Sequence, residues 1–179
     1  MNLFFRLIFV AIKALFRKED MDLLGTSVLE FRVWLTDQDM FAHMTNSRYL
    51  SFSDLGTMNF IIRIGYMRVF QSRGWVPVIC AQTMNVSRML TTPQKFEVHT
   101  RLAGWNDTYV GLHHTFTRND RKHADVYVLA RLAARDRSKP TPYDLVAAGG
   151  KTVASPTFSK PFLDLIEEAE GARKDKRPD

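Results

Sequence analysis

The feature that most constrains the fold is one heavily apolar helical segment followed by a change of period. From Ser47 to about Ile64, apolar side chains recur at helical spacing around most of the helix. They are Leu50, Leu55, Met58, Ile61 and Ile62, with Ser51 among them. Such a helix is predicted to be buried on most sides, with Asn46 or Ser47 capping its first turn. Gly65 is a natural stop, and a short second helix is predicted through Met67 to Ser72.

Strand patterns lie on both sides of this helix. Before it, Val28 to Leu35 alternates polar and apolar residues, as a half-buried strand does. Four β-rich runs separated by turn residues follow it, at Val76 to Met89, Gln94 to Gly104, Tyr109 to Arg118 and Ala124 to Arg135. The short connections between the later runs predict antiparallel neighbours. The sequence therefore predicts an α+β fold, with an antiparallel sheet wrapped around a long central helix.

Composition narrows the class of protein. The 179 residues are an ordinary length for one domain, and 45% hydrophobic residues can form a core. Cys80 is the only cysteine, which excludes an internal disulfide and fits a reducing compartment, and its apolar neighbours predict burial. The net charge of +6 attracts polyanions, but there is no arginine-rich arm or zinc-finger spacing. Nucleic acid is therefore not an expected partner.

The two ends differ from the middle. Residues 1–16 are almost entirely apolar, but Arg6 and Lys13 interrupt them, and the uninterrupted run is shorter than the ~20 residues of a membrane span. With Arg17 they form one basic stripe on an amphipathic helix at 1–18, which either lies on a membrane surface or covers an apolar patch of its own domain or a partner subunit. A main domain is predicted at 26–165, including the start of a closing helix over Pro161 to Glu170, and a charged tail at 166–179. The expected location is cytoplasmic, including a peripheral position at a membrane.

The loop before the central helix concentrates the chemistry. It contains two carboxylates, an imidazole and an amide, from Asp37, Asp39, His43 and Asn46. A helix N-terminus offers unpaired N–H groups and partial positive charge, which can polarise a carbonyl and stabilise an oxyanion. A nearby carboxylate can activate water or attack directly. This density of functional groups predicts an active site.

These residues also resemble a known family. The motif Asp-x-Asp-x-x-x-His-Met-Thr-Asn-Ser-Arg-Tyr-Leu, which starts at Asp37, is similar to the signature of hotdog thioesterases of the 4-hydroxybenzoyl-CoA thioesterase-like group. The resemblance implies a hotdog domain, and a dimer or higher oligomer with coenzyme A held at active sites between subunits. It makes Asp39 the base or nucleophile, and His43 and Asn46 groups that orient substrate or support the oxyanion. Ala42 and Thr45 depart from the family pattern, where glycine and asparagine are common.

Each of these residues also has a plainer interpretation. Asp37 and Asp39 can tighten the loop, His43 can be a buried histidine, and Asn46 can be only a cap. The candidate substrate-binding residues are Tyr49, Met58 and Arg88, although Tyr49 also has a structural interpretation. No metal or cofactor is expected, because the remaining histidines lack zinc spacing; they are His99, His113, His114 and His123.

The predicted activity is hydrolysis of an acyl-CoA or acyl-carrier-protein thioester. One alternative is a catalytically silent hotdog protein that binds acyl chains or partners at a membrane. A second alternative is an enoyl-CoA hydratase or dehydratase, since related hotdog folds pair an aspartate with a histidine. The sequence leaves the acyl group and the choice between dimer and tetramer open.

Overall fold

The computed structural model describes residues 21–174, the last of them by its backbone only. One sheet contains the strands β1 (Thr26–Arg32), β2 (Trp75–Val86), β3 (Lys95–Trp105), β4 (Val110–Arg118) and β5 (Arg121–Ala134). Their order across the sheet is β1-β3-β4-β5-β2. The α-helices of the described chain are α1 (Asn46–Arg63), α2 (Tyr66–Arg73), α3 (Pro142–Ala148) and α4 (Lys160–Lys174), and a 3-10 turn lies at Leu35–Asp37. The prediction of an α+β fold with an antiparallel sheet is confirmed.

The chain divides into two compact units, the first of which contains residues 21–65, 84–101 and 113–126. Helix α1 packs on β1 here, and the core is aromatic. Phe52 of the helix lies 4.8 Å from Phe31 and 5.1 Å from Phe96, measured between ring centroids. Phe116 stacks on Phe96 at 5.9 Å and meets the ring of Tyr49 at 5.1 Å. These contacts bury one face of α1 against the sheet, while Asn46, Ser47 and Asp54 of the helix are exposed.

A buried histidine joins α1 to the sheet within this unit. His114 donates or accepts at Nδ1 with the Thr100 hydroxyl at 2.9 Å, and Nε2 lies 3.4 Å from the Thr57 hydroxyl on α1. Burial lowers the pKa of His114 to about 3, so the ring is neutral at physiological pH. A neutral histidine between two hydroxyl groups satisfies its polar atoms without introducing a charge into the core.

The second unit contains residues 66–83, 102–112 and 127–174. The core of this unit lies between α4 and the sheet residues of the same unit. The buried residues of this core are Ala103, Tyr109, Leu129, Phe162 and Leu165. Gly111 faces Phe158 and Phe162 so closely that a Cβ there would come within 2.8 Å of both rings. Helix α3 begins with a capping box, in which Thr141 and Asp144 bond each other's backbone N–H groups.

Several sequence-based boundaries are corrected by the structure. Helix α4 continues to Lys174, past the predicted end at Glu170, so the first part of the expected charged tail is helical. Helix α3 was not predicted. Cys80 is exposed, and the prediction of its burial is wrong, because β2 is an edge strand with accessible side chains on both faces. The predicted helix at 1–18 and the final residues 175–179 lie outside the described part of the chain. Within that part, no helix is long and apolar enough to cross a membrane.

Gly56 provides a test of the α1 packing. A Cβ at this position would overlap the hydroxyl of Thr100 and lie 3.3 Å from Nδ1 of His114. We expect Gly56→Ala to lower the free energy of unfolding by about 1–3 kcal/mol in urea denaturation, because overpacking outweighs the better helix propensity of alanine.

Gly171 is the matched control for this substitution. It also lies in a helix, α4, but has no neighbouring atom within 4 Å of an added Cβ. Gly171→Ala should leave stability unchanged or raise it by up to ~1 kcal/mol. Equal effects of the two substitutions would contradict the close approach of α1 to Thr100.

Candidate active site

The loop between β1 and α1 is held by the buried carboxylate of Asp37. This side chain has no exposed surface, and its Oδ2 accepts a hydrogen bond of 3.0 Å from the backbone N–H of Trp34. Its Oδ1 lies 3.4 Å from Nε of Arg48, in the first turn of α1. Nη2 of Arg48 also donates to the carbonyl of Thr36 at 3.0 Å. These contacts attach the loop to the helix, which agrees with the structural role predicted for Asp37.

Asp39 lies two residues further on and is exposed. Its Oδ1 accepts hydrogen bonds from the backbone N–H groups of Phe41 at 2.9 Å and His43 at 3.2 Å. The backbone closes the same turn, because the N–H of Asp39 donates to the carbonyl of His43 at 2.9 Å. One carboxylate oxygen therefore fixes the loop, while no described residue donates to the other oxygen. Asp39 therefore tightens the loop through Oδ1, as its plainer interpretation states, and its Oδ2 is left without a hydrogen-bond donor from the described chain.

Ala42 adopts a left-handed backbone conformation, with φ of 62°. Glycine enters this region without strain, whereas a residue with a Cβ pays roughly 1–2 kcal/mol. The N–H of Ala42 donates to the carbonyl of Asp39 at 3.1 Å, and its carbonyl accepts from Nε2 of Gln38. The turn around Asp39 is therefore formed with alanine in a backbone conformation that glycine enters without strain.

The N-terminus of α1 lies directly after this turn. Thr45 is the N-cap residue, so the prediction that Asn46 or Ser47 caps the helix is wrong. The Thr45 side chain makes no capping bond, and its hydroxyl lies 3.1 Å from the hydroxyl of Ser47. Within a helix, the first N–H groups have no carbonyl four residues earlier to bond. The N–H of Arg48 donates to the carbonyl of Thr45 at 2.9 Å, and the turn before it offers donors and partial positive charge at the end of the loop that contains Asp39.

His43 is half-buried and forms a β-bridge with Thr91. The adjacent N–H of Met44 donates to the carbonyl of Leu90 at 2.7 Å, which extends this pairing. His43 contacts Asp39 through its backbone N–H, and no hydrogen bond between the carboxylate and the imidazole occurs in residues 21–174. Asp39, His43 and Asn46 thus share one loop and helix start, as their spacing predicted. Their catalytic roles stay a prediction.

The three predicted substrate-binding residues have different surroundings. Tyr49 is wholly buried and its hydroxyl accepts from the N–H of Leu90 at 3.3 Å, which agrees with its structural interpretation, while a contact with substrate stays a prediction. Burial also raises the pKa of the Tyr49 hydroxyl. Met58 is half-buried on α1. Arg88 is exposed, and its Nη1 donates to the carbonyl of Lys122 at 3.3 Å.

Sequence reasoning missed the residues that surround Arg88. A cleft of about 490 Å³ is lined by Arg88, Arg118, Asn119, Arg121 and His123. We call it the arginine cleft. The two arginines on either side of Asn119 and Asp120 were visible in the sequence, but their proximity to Arg88 was not. No group of three or more histidine, cysteine, aspartate or glutamate side chains in the described chain is placed to hold a metal ion.

The family now follows from comparison with known proteins. A sequence model of the thioesterase-like superfamily matches residues 33–149, which is more than half of the chain. The chain belongs to this superfamily, and the resemblance noted in its loop motif is confirmed.

Individual relatives have similar sequences or the same fold. Protein THEM6 of Danio rerio is 29% identical over 128 residues, covering 72% of this chain and 63% of that protein. Protein THEM6 of Xenopus laevis is 33% identical over 104 residues, covering 58% and 50%. The chain thus spans between half and two thirds of the length of these relatives.

Among solved structures, the probable thioesterase YbaW of Escherichia coli superposes with a TM-score of 0.63 at 14% identity, covering 68% of this chain and 94% of that one. The hypothetical protein TT1821 of Thermus thermophilus gives a TM-score of 0.61 at 20% identity, covering 70% and 95%. At these identities the likeness shows the hotdog fold.

Ala42→Gly tests the backbone strain in the loop that contains Asp39. Glycine removes roughly 1–2 kcal/mol of left-handed strain, and its greater freedom in the unfolded chain returns roughly 0.4–1 kcal/mol. We therefore expect a net gain of about 0.5–1 kcal/mol in the free energy of unfolding, measured in urea. Gly65→Ala, at a position with φ of 79° and open space around it, is the reverse control and should destabilise. A loss of stability in Ala42→Gly would contradict the strained geometry.

Proposed function

We propose that this chain hydrolyses acyl thioesters, with the Asp39 carboxylate acting at the N-terminus of α1. The single observation that carries the proposal is the geometry of Asp39. Two backbone N–H groups fix its Oδ1, while Oδ2 has no donor among the described residues and the residue as a whole is exposed. The uncapped first turn of α1 follows within a few residues. A carboxylate and a set of N–H donors are the two components that thioester hydrolysis requires.

The chemistry can be written with either role for Asp39. As a base, the carboxylate takes a proton from water while the water oxygen attacks the thioester carbonyl carbon. As a nucleophile, Oδ2 attacks the carbonyl itself to form a mixed anhydride, which water then cleaves. In both routes the carbon–sulfur bond breaks, the thiolate leaves and is protonated, and a carboxylic acid is released. Donors at the start of α1 stabilise the negative oxygen formed during attack.

The names of structural neighbours support coenzyme A thioesters as the substrate class. A mutant of 4-hydroxybenzoyl-CoA thioesterase, solved with 4-hydroxybenzoyl-CoA bound, has a TM-score of 0.60 with this chain at 14% identity. A gentisyl-coenzyme A thioesterase has a TM-score of 0.60 at 18% identity. These activities belong to those proteins, and the family membership of this chain makes the same reaction class the leading candidate here.

Asp39→Asn tests the proposal directly. The amide oxygen can still accept from Phe41 and His43, so the loop should keep its shape, while the negative charge is lost. We expect thiol release from a panel of short, long and aromatic acyl-CoAs to fall by about 10²–10⁴-fold, the usual contribution of a general base. Asp107→Asn, in the exposed turn between β3 and β4, is the matched control and should retain activity.

The other outcomes of this experiment discriminate between the alternatives. Full activity in Asp39→Asn would show that this carboxylate is neither the base nor the nucleophile. If wild type binds acyl-CoA saturably but releases no thiol, the hypothesis of hydrolysis is wrong and that of a catalytically silent binding protein is favoured. Hydration of an enoyl-CoA without thiol release would favour the hydratase, although Asp39 contacts the backbone of His43 rather than its imidazole.

We also propose that the active form is a homo-oligomer formed through β2. This strand is 12 residues long and lies at the edge of the sheet, with most of its side chains exposed. Its exposed apolar residues include Val76, Val78 and Ile79, the last of which is 49% accessible. An exposed apolar edge strand is a ready template for pairing with another chain. A second copy of this chain satisfies both the backbone groups and the apolar side chains.

Ile79→Lys should weaken this association. A lysine on β2 places a charge in the proposed contact, so sedimentation velocity should show a higher proportion of monomer than for wild type at the same concentration. Leu163→Lys, which changes an exposed leucine on α4, is the control and should not alter the distribution. A wild type that is monomeric throughout, or equal behaviour of the two variants, would contradict assembly through β2.

A further inference from the structure

The loop between β1 and α1 exposes a group of large apolar side chains. The three most exposed large apolar residues of the described chain are Met40, Leu35 and Phe41, at 90%, 78% and 71% accessible. Trp34, in the same loop, and Met89, in the segment beside it, are also exposed. Single exposed apolar residues are normal on a protein surface, whereas a group of them marks contact with a partner. We call these five residues the loop patch.

Met89 lies beside the loop because its segment is bonded to it. The N–H of Met44 donates to the carbonyl of Leu90 at 2.7 Å, and Leu90 is wholly buried. Met89 is the exposed neighbour of this buried residue. Trp34 has the same relation to Val33, which is also wholly buried. The loop patch is therefore attached to the core of its unit.

Hydrogen bonds hold the loop, so the exposure of the patch is built into the fold. The N–H of Trp34 donates to the buried carboxylate of Asp37 at 3.0 Å, and the N–H of Phe41 donates to Asp39 at 2.9 Å. An exposed turn normally contains small or polar residues. Large apolar side chains on a fixed, exposed turn are unfavourable in water unless a partner covers them.

Basic residues flank the loop patch. Arg32 precedes it at the end of β1, and Lys95 is the cross-strand partner of Arg32 on β3. Arg88 directly precedes Met89 and is exposed. The ion pairs between residues of the described chain do not involve these three cations. Their charges are therefore available to a partner.

The carboxylates on the same side offer little compensation. Asp37 is buried and already ion-paired. Glu30 and Glu97 lie on the same face of the sheet as Arg32, but two residues further from the loop, and Glu97 is bonded to His99 at 3.0 Å. The electrostatic complement of the flanking residues is an anionic surface.

The kinds of residue in the patch favour a lipid surface over a protein partner. Aromatic and long apolar side chains next to basic residues are typical of elements that enter the boundary between lipid headgroups and acyl chains. The sequence of residues 1–18 combines a basic stripe with an apolar face in the same way, and a membrane surface is one of the two contacts expected for it. A second copy of this chain is proposed to bind at β2, which lies at the opposite edge of the sheet from β1.

We propose that the loop patch docks on an anionic phospholipid membrane, and that the thioester substrate is taken there from the bilayer. The second part rests on the proposed thioesterase function. Met40 directly follows Asp39, so docking through the patch places this carboxylate at the membrane surface. Long-chain acyl thioesters are the substrate class that fits, because their chains are then never exposed to bulk water.

The test is flotation of the full-length protein with vesicles of phosphatidylcholine and phosphatidylglycerol. Wild type is compared with Leu35→Ser/Met40→Ser, which removes two exposed side chains of the patch and no group that bonds Asp39. We expect the partition coefficient of the double variant to fall about tenfold or more. Tyr143→Ser/Leu163→Ser changes two exposed apolar residues of α3 and α4, and this matched control should float as wild type does.

The charge of the surroundings is tested separately. Arg32→Gln/Lys95→Gln should weaken flotation with the anionic vesicles and leave flotation with pure phosphatidylcholine vesicles unchanged. High salt should weaken wild-type flotation with the anionic vesicles in the same way, because it screens exposed charges. Equal flotation of wild type with both kinds of vesicle would contradict the preference for anionic lipid.

Trp34 reports whether the loop itself enters the lipid. Vesicles that contain brominated phosphatidylcholine should quench the tryptophan fluorescence of wild type. They should quench that of Trp34→Phe much less, because Trp105 is buried and Trp75 is half-buried. This readout separates docking through the loop from attachment through residues 1–18.

Two results would overturn the docking. If Leu35→Ser/Met40→Ser floats as wild type does and Trp34→Phe is quenched equally, any membrane contact lies outside the loop. If wild type does not float, and the double variant loses self-association in sedimentation velocity, the patch contacts a second copy of the chain and the lipid assignment is wrong.

Flotation is measured without turnover, so its failure is distinct from failure of the proposed function. A wild type that floats through the patch but releases no thiol would uphold the docking and overturn the hydrolysis. A wild type that releases thiol without floating would overturn the docking and leave the Asp39→Asn result intact.

Delivery from the bilayer has its own readout. Leu35→Ser/Met40→Ser should lose kcat/KM towards a long-chain acyl-CoA presented in anionic vesicles and keep it towards a short, water-soluble acyl-CoA. An equal loss with both substrates would show that the patch does not deliver substrate from the membrane.

Discussion

The buried carboxylate of Asp37 is the constraint on which the loop between β1 and α1 depends. A buried carboxylate is costly unless it is hydrogen-bonded and paired, and here one oxygen accepts from Trp34 while the other faces Arg48. The carbonyl of Asp37 also accepts from the N–H of Thr45 at 3.0 Å. One residue thus joins the end of β1 to Thr45, the residue at the N-cap position of α1. The turn containing Asp39 lies between these two attachments, so its position relative to the helix start is determined by Asp37.

The loop is connected to the sheet as well as to the helix. Leu90 provides its carbonyl to Met44 and its N–H to the hydroxyl of Tyr49, which is buried in the core. Two residues earlier, Arg88 bonds to the start of β5. The stretch from Arg88 to Thr91 therefore links the Asp39 turn, the core of the first unit and the arginine cleft. This linkage gives the proposed substrate contacts a common rigid support, which site geometry requires.

The parts of the fold that were predictable are those with a strong local pattern. The long apolar helix and the β-rich runs were predicted from periodicity, and the observed ends differ by a few residues, as between Val76 to Met89 and Trp75–Val86. Cys80 was misjudged because an apolar run on an edge strand has the same pattern as a buried one. Helix α4 was predicted too short, because the charged residues after Glu170 resemble a solvated tail although the helix continues through them.

The candidate site also has a part that a local sequence pattern predicts and a part that only the fold brings together. Asp39, His43 and Asn46 are near each other in sequence, so a single motif could predict them together. Tyr49 belongs to that motif, but only packing shows that its ring and hydroxyl are enclosed by Leu90 and Phe116. The arginine cleft depends on a hairpin turn and on backbone bonds between residues more than 30 positions apart, as Ser87 and His123 are. No local pattern carries that information.

The two departures from the family motif bear directly on whether the site can work. Ala42 replaces a common glycine, yet its backbone is left-handed and the turn that bonds Asp39 is closed around it. Thr45 replaces a common asparagine, and its hydroxyl turns to Ser47 instead of capping the helix. A cap that bonded the first N–H groups would compete with a substrate oxygen for the same donors. Both substitutions therefore leave the carboxylate and the helix N-terminus available, which favours hydrolysis over silent binding.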